Sequence, residues 1–197
     1  SFMRIILASK SPRRRELLNN LGVEFDIEVS DADENYVGDS PEDTVTEIAR
    51  RKGRAVRDKI LSEGEKPENV LIIACDTLVY IDRQILGKPH DRQDARRMLD
   101  LLSGREHRVV SGIYLYHAGK EISEFASTKV TFSELSEAQT ERYLDSDEPY
   151  DKAGAYAVQG RGSVFVERIE GDFFNVVGLP LNLVCRIAKE EFGIELC

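Results

Sequence analysis

Three arginines, Arg13, Arg14 and Arg15, follow Ser9-Lys10-Ser11-Pro12 where a short apolar run gives way to a helical pattern. Ser11 is a good N-cap and Pro12 fits the first helical position. A helix N-terminus leaves backbone N–H groups unpaired and carries the positive end of the dipole, so it favours anions and disfavours cations. Arginines there are in conflict with the dipole unless an anion binds between them. A surface arginine run behind an ordinary cap would read the same way, so this segment alone does not decide. Asp76, in Ala74-Cys75-Asp76-Thr77, is expected where a buried strand ends, the usual place for a ligand in an α/β sheet. A carboxylate there can hold a metal or take a proton from water; a turn-forming Asp is the bland alternative.

Other segments carry weaker signals. In Leu86-Gly87-Lys88-Pro89, glycine permits close backbone approach and Lys88 can neutralise a phosphate, although the same tripeptide describes many exposed turns. Lys52 alone reads as a solvated helix lysine, and Glu34, in Asp33-Glu34-Asn35, as loop solvation. The segment from Asp151 to Gly160 is rich in small residues that would let backbone approach a flat ligand. Its Gln159 offers one acceptor and two donors, and so can pair with an N–H and a carbonyl on a thymine or uracil edge. Gly178-Leu179-Pro180 starts the last helix, and its backbone N–H groups could also face the pocket. The three histidines form no metal constellation and read as structural or exposed. No phosphate-loop, dinucleotide or Ser/His/Asp pattern is present.

The elements that must position these residues follow from pattern and punctuation. Strands are expected at Arg4 to Ala8, Glu24 to Val29, Val70 to Ala74, Leu78 to Ile81 with Gln84 to Leu86, His107 to Tyr116 with Glu121 to Phe132, and Ser163 to Ile169. Helices are expected over Arg13 to Leu21, from the Ser40-Pro41-Glu42-Asp43 capping box to about Leu61, over Asp91 to Leu102, from Ser136 to about Leu144, and over Pro180 to Phe192. The fold class is α/β: one domain over residues 3–197, with a mixed, elongated central sheet flanked by helices, in one body or in two lobes with a cleft. Ser1 and Phe2 precede Met3 and read as an expression remnant.

Composition excludes several classes. A net charge of −9 argues against wholesale nucleic-acid binding, yet a local cationic pocket in an acidic shell suits a small polyanion. No apolar run approaches membrane-span length and no leader is apparent. Three cysteines at unrelated spacings suggest reduced thiols and a cytoplasmic location.

Taken together and in order, these segments resemble the Maf family of nucleotide pyrophosphatases, from Ile5 to about Phe192. The resemblance rests on Ser9-Lys10-Ser11-Pro12-Arg13-Arg14, Glu34, Lys52, Ala74-Cys75-Asp76-Thr77, Gly87-Lys88-Pro89, the Asp151-to-Gly160 block and Gly178-Leu179-Pro180. It implies an ITPase-like fold and metal-dependent hydrolysis of nucleoside triphosphates to the monophosphate and pyrophosphate. It further implies a nucleotide-pool role, a link to cell-division control and a homodimer. Arg13, Thr77 and Gln159 match the branch that prefers dTTP and UTP. On this resemblance Asp76 activates water or holds the metal with Glu34. Arg13, Arg14, Lys52 and Lys88 neutralise phosphate charge, Ser9 and Ser11 bind phosphate oxygens, and Thr77 and Gln159 read the base. Oxygen-only ligands favour Mg²⁺ or Mn²⁺. The rival readings are a non-catalytic nucleotide-binding regulator of septation and a pyrophosphatase for a modified nucleotide.

Overall fold

Helices begin where the sequence supplies caps. In the computed structural model, which describes residues 3–197, Ser11 caps α1 (Pro12–Asn19), Ser40 caps α2 (Pro41–Ser62), Asp91 caps α3 (Arg92–Leu102) and Ser136 caps α4 (Glu137–Leu144). The expectation for Ser1 and Phe2 lies outside the described residues. The box at Ser136 is complete: its hydroxyl accepts from Gln139 N and its own N–H donates to Gln139 Oε1. At Ser40 only half of the box forms, because the Asp43 carboxylate accepts instead from the Tyr36 hydroxyl at 2.8 Å.

The strands are β1 (Arg4–Leu7), β2 (Asp26–Ile27), β3 (Val70–Ile81), β4 (Gln84–Leu86), β5 (Glu106–His117), β6 (Lys120–Phe132) and β7 (Val166–Glu170). They form a mixed seven-stranded sheet in the order β2-β1-β3-β5-β6-β7, with β4 paired to β3. β1 runs parallel to β2 and β3, while β3–β4 and β6–β7 are antiparallel. The mixed α/β architecture is therefore the one expected. Asp82-Arg83 and Ala118-Gly119 turn two hairpins, with positive φ at both central residues in each, the geometry that matches strand twist.

Four boundaries differ from expectation. Val70–Ala74 and Leu78–Ile81 are one twelve-residue strand that runs straight through Asp76 and Thr77. The pairing of β3 with β1 stops at Leu7↔Ile73, and its pairing with β4 starts at Val79. Asp76 thus lies beyond the end of a neighbouring strand, and the expectation that its own strand ends there is corrected. β2 keeps two residues of the expected six, since only Ile6 and Leu7 of β1 pair with it. Arg161–Phe165 is a 3₁₀ turn that delays β7. A five-residue helix, α5 (Phe173–Val177), precedes α6 (Leu181–Phe192) and is too short to show a period.

The chain divides into two compact units. The first runs to Asp76 and includes Ser111–Ala126 and Gly178–Cys197; the second holds Thr77–Val110 and Ser127–Val177. In the first, Ile6 and Ala8 of the β1 segment, Val70, Ile72 and Ala74 of β3, and Tyr114 and Tyr116 of β5 share a core with Ala49, Val56 and Ile60 of α2. The strand contributors alternate by two and the helical ones follow helical spacing, as one face of each must. In the second, His107, Phe132, Tyr156, Phe165 and Tyr143 stack mainly edge to face, with ring centroids 4.7–5.9 Å apart.

Gly112 in β5 lets α2 approach closely. A Cβ there would lie 2.4 Å from the carbonyl carbon and oxygen of Val45 and 2.5 Å from Thr46 N, all backbone atoms that cannot rotate away. Gly112→Ala is expected to cost about 1–3 kcal/mol by overpacking. Thermal unfolding should show a Tm lower by roughly 2–12 °C; an unchanged Tm would mean that α2 and β5 separate freely.

Candidate functional site

The first unit gathers most of the residues singled out above. β1 delivers the chain to Ser9, whose side chain is buried and whose Oγ accepts from Ser11 N at 3.1 Å. Ser9 Oγ also accepts from Arg14 Nη1 at 3.4 Å, and the Ser11 hydroxyl accepts from Arg14 N at 3.4 Å. Arg14 Nε donates to the Gly178 carbonyl at 2.7 Å. Arg13 and Arg14 are half-buried in the first turn of α1, which contains no acidic residue. Two cations thus occupy the end of a helix that disfavours them.

Lys52, on the core-facing side of α2, donates from Nζ to the Cys75 carbonyl at 2.7 Å. Burial lowers its pKa from the ordinary lysine value, and the positive charge of Arg14 lowers it further, against opposing pulls from Asp76 and Glu34. Arg14 and Lys52 are therefore close enough to repel, and both carboxylates are close enough to act on the same ammonium. By strand alternation Asp76 continues the face of Val70, Ile72 and Ala74, which α2 covers. It is half-buried, whereas Glu34 is exposed in the loop before α2.

Asp76 and Glu34 are hard oxygen donors and suit Mg²⁺ or Mn²⁺. Among the described residues no group of three or more His, Cys, Asp or Glu is arranged to hold a metal ion. As donors, two carboxylates suit a cation that takes its remaining oxygens from a phosphate ligand and water. All three cysteines are free, as expected. His107 is buried, neutral with its pKa pushed down to about 3 by desolvation, and bonded through Nε2 to the Tyr156 hydroxyl at 2.7 Å. His117 bonds the Val70 carbonyl through Nδ1, and His90 is exposed. The histidines are structural or exposed.

Thr77, Lys88 and Gln159 belong to the second unit. Thr77 is half-buried in β3, and Lys88 is exposed in the loop after β4. The Gly87 carbonyl accepts from Gly154 N at 3.1 Å, so the Lys88 loop and the segment carrying Gln159 are tied together. Gln159 is exposed between buried Val158 and half-buried Gly160.

Two contributors act through backbone carbonyls, which the sequence did not assign: for Gly178-Leu179-Pro180 it offered N–H groups instead. The Cys75 carbonyl anchors Lys52. The Gly178 carbonyl accepts from both Arg14 Nε and, at 3.4 Å, Cys75 Sγ. Gly178 has φ of +138°, a conformation that side chains rarely adopt. The only signal for it was the Gly178-Leu179-Pro180 motif, read first as a helix start.

No helix among the described residues is long and apolar enough to cross a membrane. The fold is similar to the solved structure of the Staphylococcus aureus Ham1 protein, with a TM-score of 0.54 at 13% identity, over 95% of this chain and 99% of that one. The chain is 44% identical to a dTTP/UTP pyrophosphatase of Thermoanaerobacter sp. (strain X514), over 98% of its own length and all of the relative's. It is 48% identical to a dTTP/UTP pyrophosphatase of Clostridium botulinum (strain Kyoto / Type A2), over 98% of each chain. A dTTP/UTP pyrophosphatase of Thermotoga maritima is 46% identical, over 96% of this chain and 90% of the relative. The profile of the family described as Maf-like protein matches residues 4–191. With a match of that extent, the chain belongs to the Maf-like protein family.

Proposed function

We propose that this protein hydrolyses nucleoside triphosphates, dTTP and UTP foremost, to the monophosphate and pyrophosphate. The observation that carries the reading is the pairing of Arg14 and Lys52. Two mutually repelling cations are held by carbonyls with Asp76 and Glu34 acting on the same ammonium: Arg14 in a first helical turn that has no acid of its own, and Lys52 on α2. A polyphosphate would remove both the repulsion and the conflict with the helix dipole. The relatives' shared name supplies the substrate class and its bases.

Ser9, Ser11, Arg13 and Arg14, at the start of α1, bind phosphate oxygens. Lys52 and, in the second unit, Lys88 neutralise charge that builds up on the departing pyrophosphate, an effect worth several kcal/mol in such chemistry. Asp76 takes the proton of the attacking water, and Thr77 and Gln159 read the base. A divalent cation, Mg²⁺ or Mn²⁺, held by Asp76 and Glu34 together with phosphate oxygens, would supply further charge screening and polarise the phosphate. The activity suits nucleotide-pool cleaning in the cytoplasm.

The test is pyrophosphate release from dTTP, UTP, dCTP, dATP, dGTP and 7-methyl-GTP, with Mg²⁺, Mn²⁺ or EDTA. Metal-dependent release led by dTTP and UTP is expected. Release from 7-methyl-GTP alone would keep the chemistry and overturn the base assignment. Nucleotide binding without release from any triphosphate would overturn the enzyme reading.

A further inference from the structure

The turn that carries Gln159 is built on one side chain that the proposed reaction does not use. Glu148, at the start of a 3₁₀ turn after α4, accepts from Arg161 N at 3.0 Å through Oε1 and from Gly162 N at 2.9 Å through Oε2. The Tyr143 hydroxyl, buried on α4, donates to the same carboxylate and accepts from Ala157 N at 3.1 Å. The backbone on both sides of Gln159 is therefore fixed to one Tyr143–Glu148 pair. Burial opposes the charge of Glu148, but the bonds from Tyr143, Gly162 and Arg161 outweigh it and hold the carboxyl below its usual pKa.

The glycines of this segment make room for the arrangement. A Cβ on Gly160 would lie 1.9 Å from Glu148 Oε1, and one on Gly162 would lie 2.6 Å from the Ala157 carbonyl oxygen and 3.0 Å from the Tyr143 hydroxyl. Val158 is buried beneath the turn, which leaves the Gln159 amide exposed. A carboxylate that holds two backbone N–H groups orders a loop more strongly than neutral bonds would. An amide that discriminates bases must be held to a fraction of an ångström.

We infer that Glu148, supported by Tyr143, is a positioning residue that fixes the 157–162 turn and thereby sets base preference through Gln159. The inference rests on the proposed role of Gln159 as base reader. Glu148→Gln keeps one acceptor oxygen but turns an NH₂ group toward a backbone N–H donor, so one of the two anchors is lost.

The test measures kcat/KM for dTTP, UTP and dCTP in wild type, Glu148→Gln, Gln159→Ala and the double variant, with amide hydrogen exchange over 157–162. Glu148→Gln is expected to shrink the dTTP-over-dCTP preference about tenfold, mostly through KM, and to speed exchange at Arg161 and Gly162. The double variant should shrink it no further than Gln159→Ala alone, as expected for residues acting in one chain of effect. Should Glu148→Gln fail to fold, Tyr143→Phe removes only the hydroxyl and should show the same change of ratio in weaker form. An unchanged ratio in a variant whose wild type prefers dTTP overturns the role of Glu148 alone. An equal fall on every triphosphate overturns it too, since a general structural role would do that. A wild type with no preference for dTTP or UTP overturns the functional reading, and this inference with it.

Discussion

Asp76→Asn is expected to lower pyrophosphate release by roughly 10³-fold, within the range for loss of a positioned general base, while nucleotide binding survives. Asparagine matches the shape of aspartate, so the half-buried site in β3 and the strand itself should hold. What disappears is the capacity to accept a proton and one negative charge beside a polyanion. Arg14 and Lys52 remain anchored on the Gly178 and Cys75 carbonyls, and with less opposing charge nearby they should hold the triphosphate at least as tightly. Turnover measured beside the Kd of a dTTP analogue with a non-hydrolysable α,β bridge separates the two effects. Full turnover with unchanged metal dependence would remove Asp76 from the reaction. A loss of binding equal to the loss of turnover would make it a substrate contact instead.

The contrast between Asp76 and Gly178 shows what was legible in the sequence. Caps at Ser11, Ser40 and Ser136 are local chemistry, and each starts the helix it announces. Alternation and turn residues likewise announce the β5–β6 hairpin, since the Ala118-Gly119 geometry is set by neighbouring residues. The continuation of β3 through Asp76 was not legible, because a polar pair after a buried run looks like an exit from the sheet. Only pairing decides it: β1 ends early, and β3 goes on to meet β4.

The site divides in the same way. Charged side chains announce themselves in a sequence, so Arg13, Arg14, Lys52 and Asp76 could be named. Carbonyl acceptors carry no residue signature, so Cys75 and Gly178 could not be assigned as anchors. Glu148 was hidden for a related reason: its work falls on the N–H groups of residues 13 and 14 positions away. Gly160 was visible as a small residue expected near a flat ligand, yet what a Cβ there would meet is Glu148.

Lys52→Met should separate function from stability. The ammonium sits where burial and Arg14 both disfavour its charge, and its pKa is lowered accordingly. The unfolded chain then binds more protons than the folded one between the lowered pKa and the ordinary lysine value, so stability rises with pH across that window. Below it, both states are charged and the folded state carries the full cost. Methionine removes that cost at neutral pH, at the loss of one hydrogen bond to the Cys75 carbonyl. The expected result at pH 7 is a Tm equal to or above that of wild type, with kcat/KM for dTTP down about 100-fold, the scale for one lost electrostatic contact in a transition state. In wild type, kcat/KM should fall on the alkaline side at a pH below the titration of an ordinary lysine. Lys52→Arg keeps its charge far above that range and should shift the alkaline limb upward even if it works more slowly. A Tm several degrees below wild type in Lys52→Met would assign the residue to packing. An alkaline limb that stays in place with arginine would assign the titration to another group.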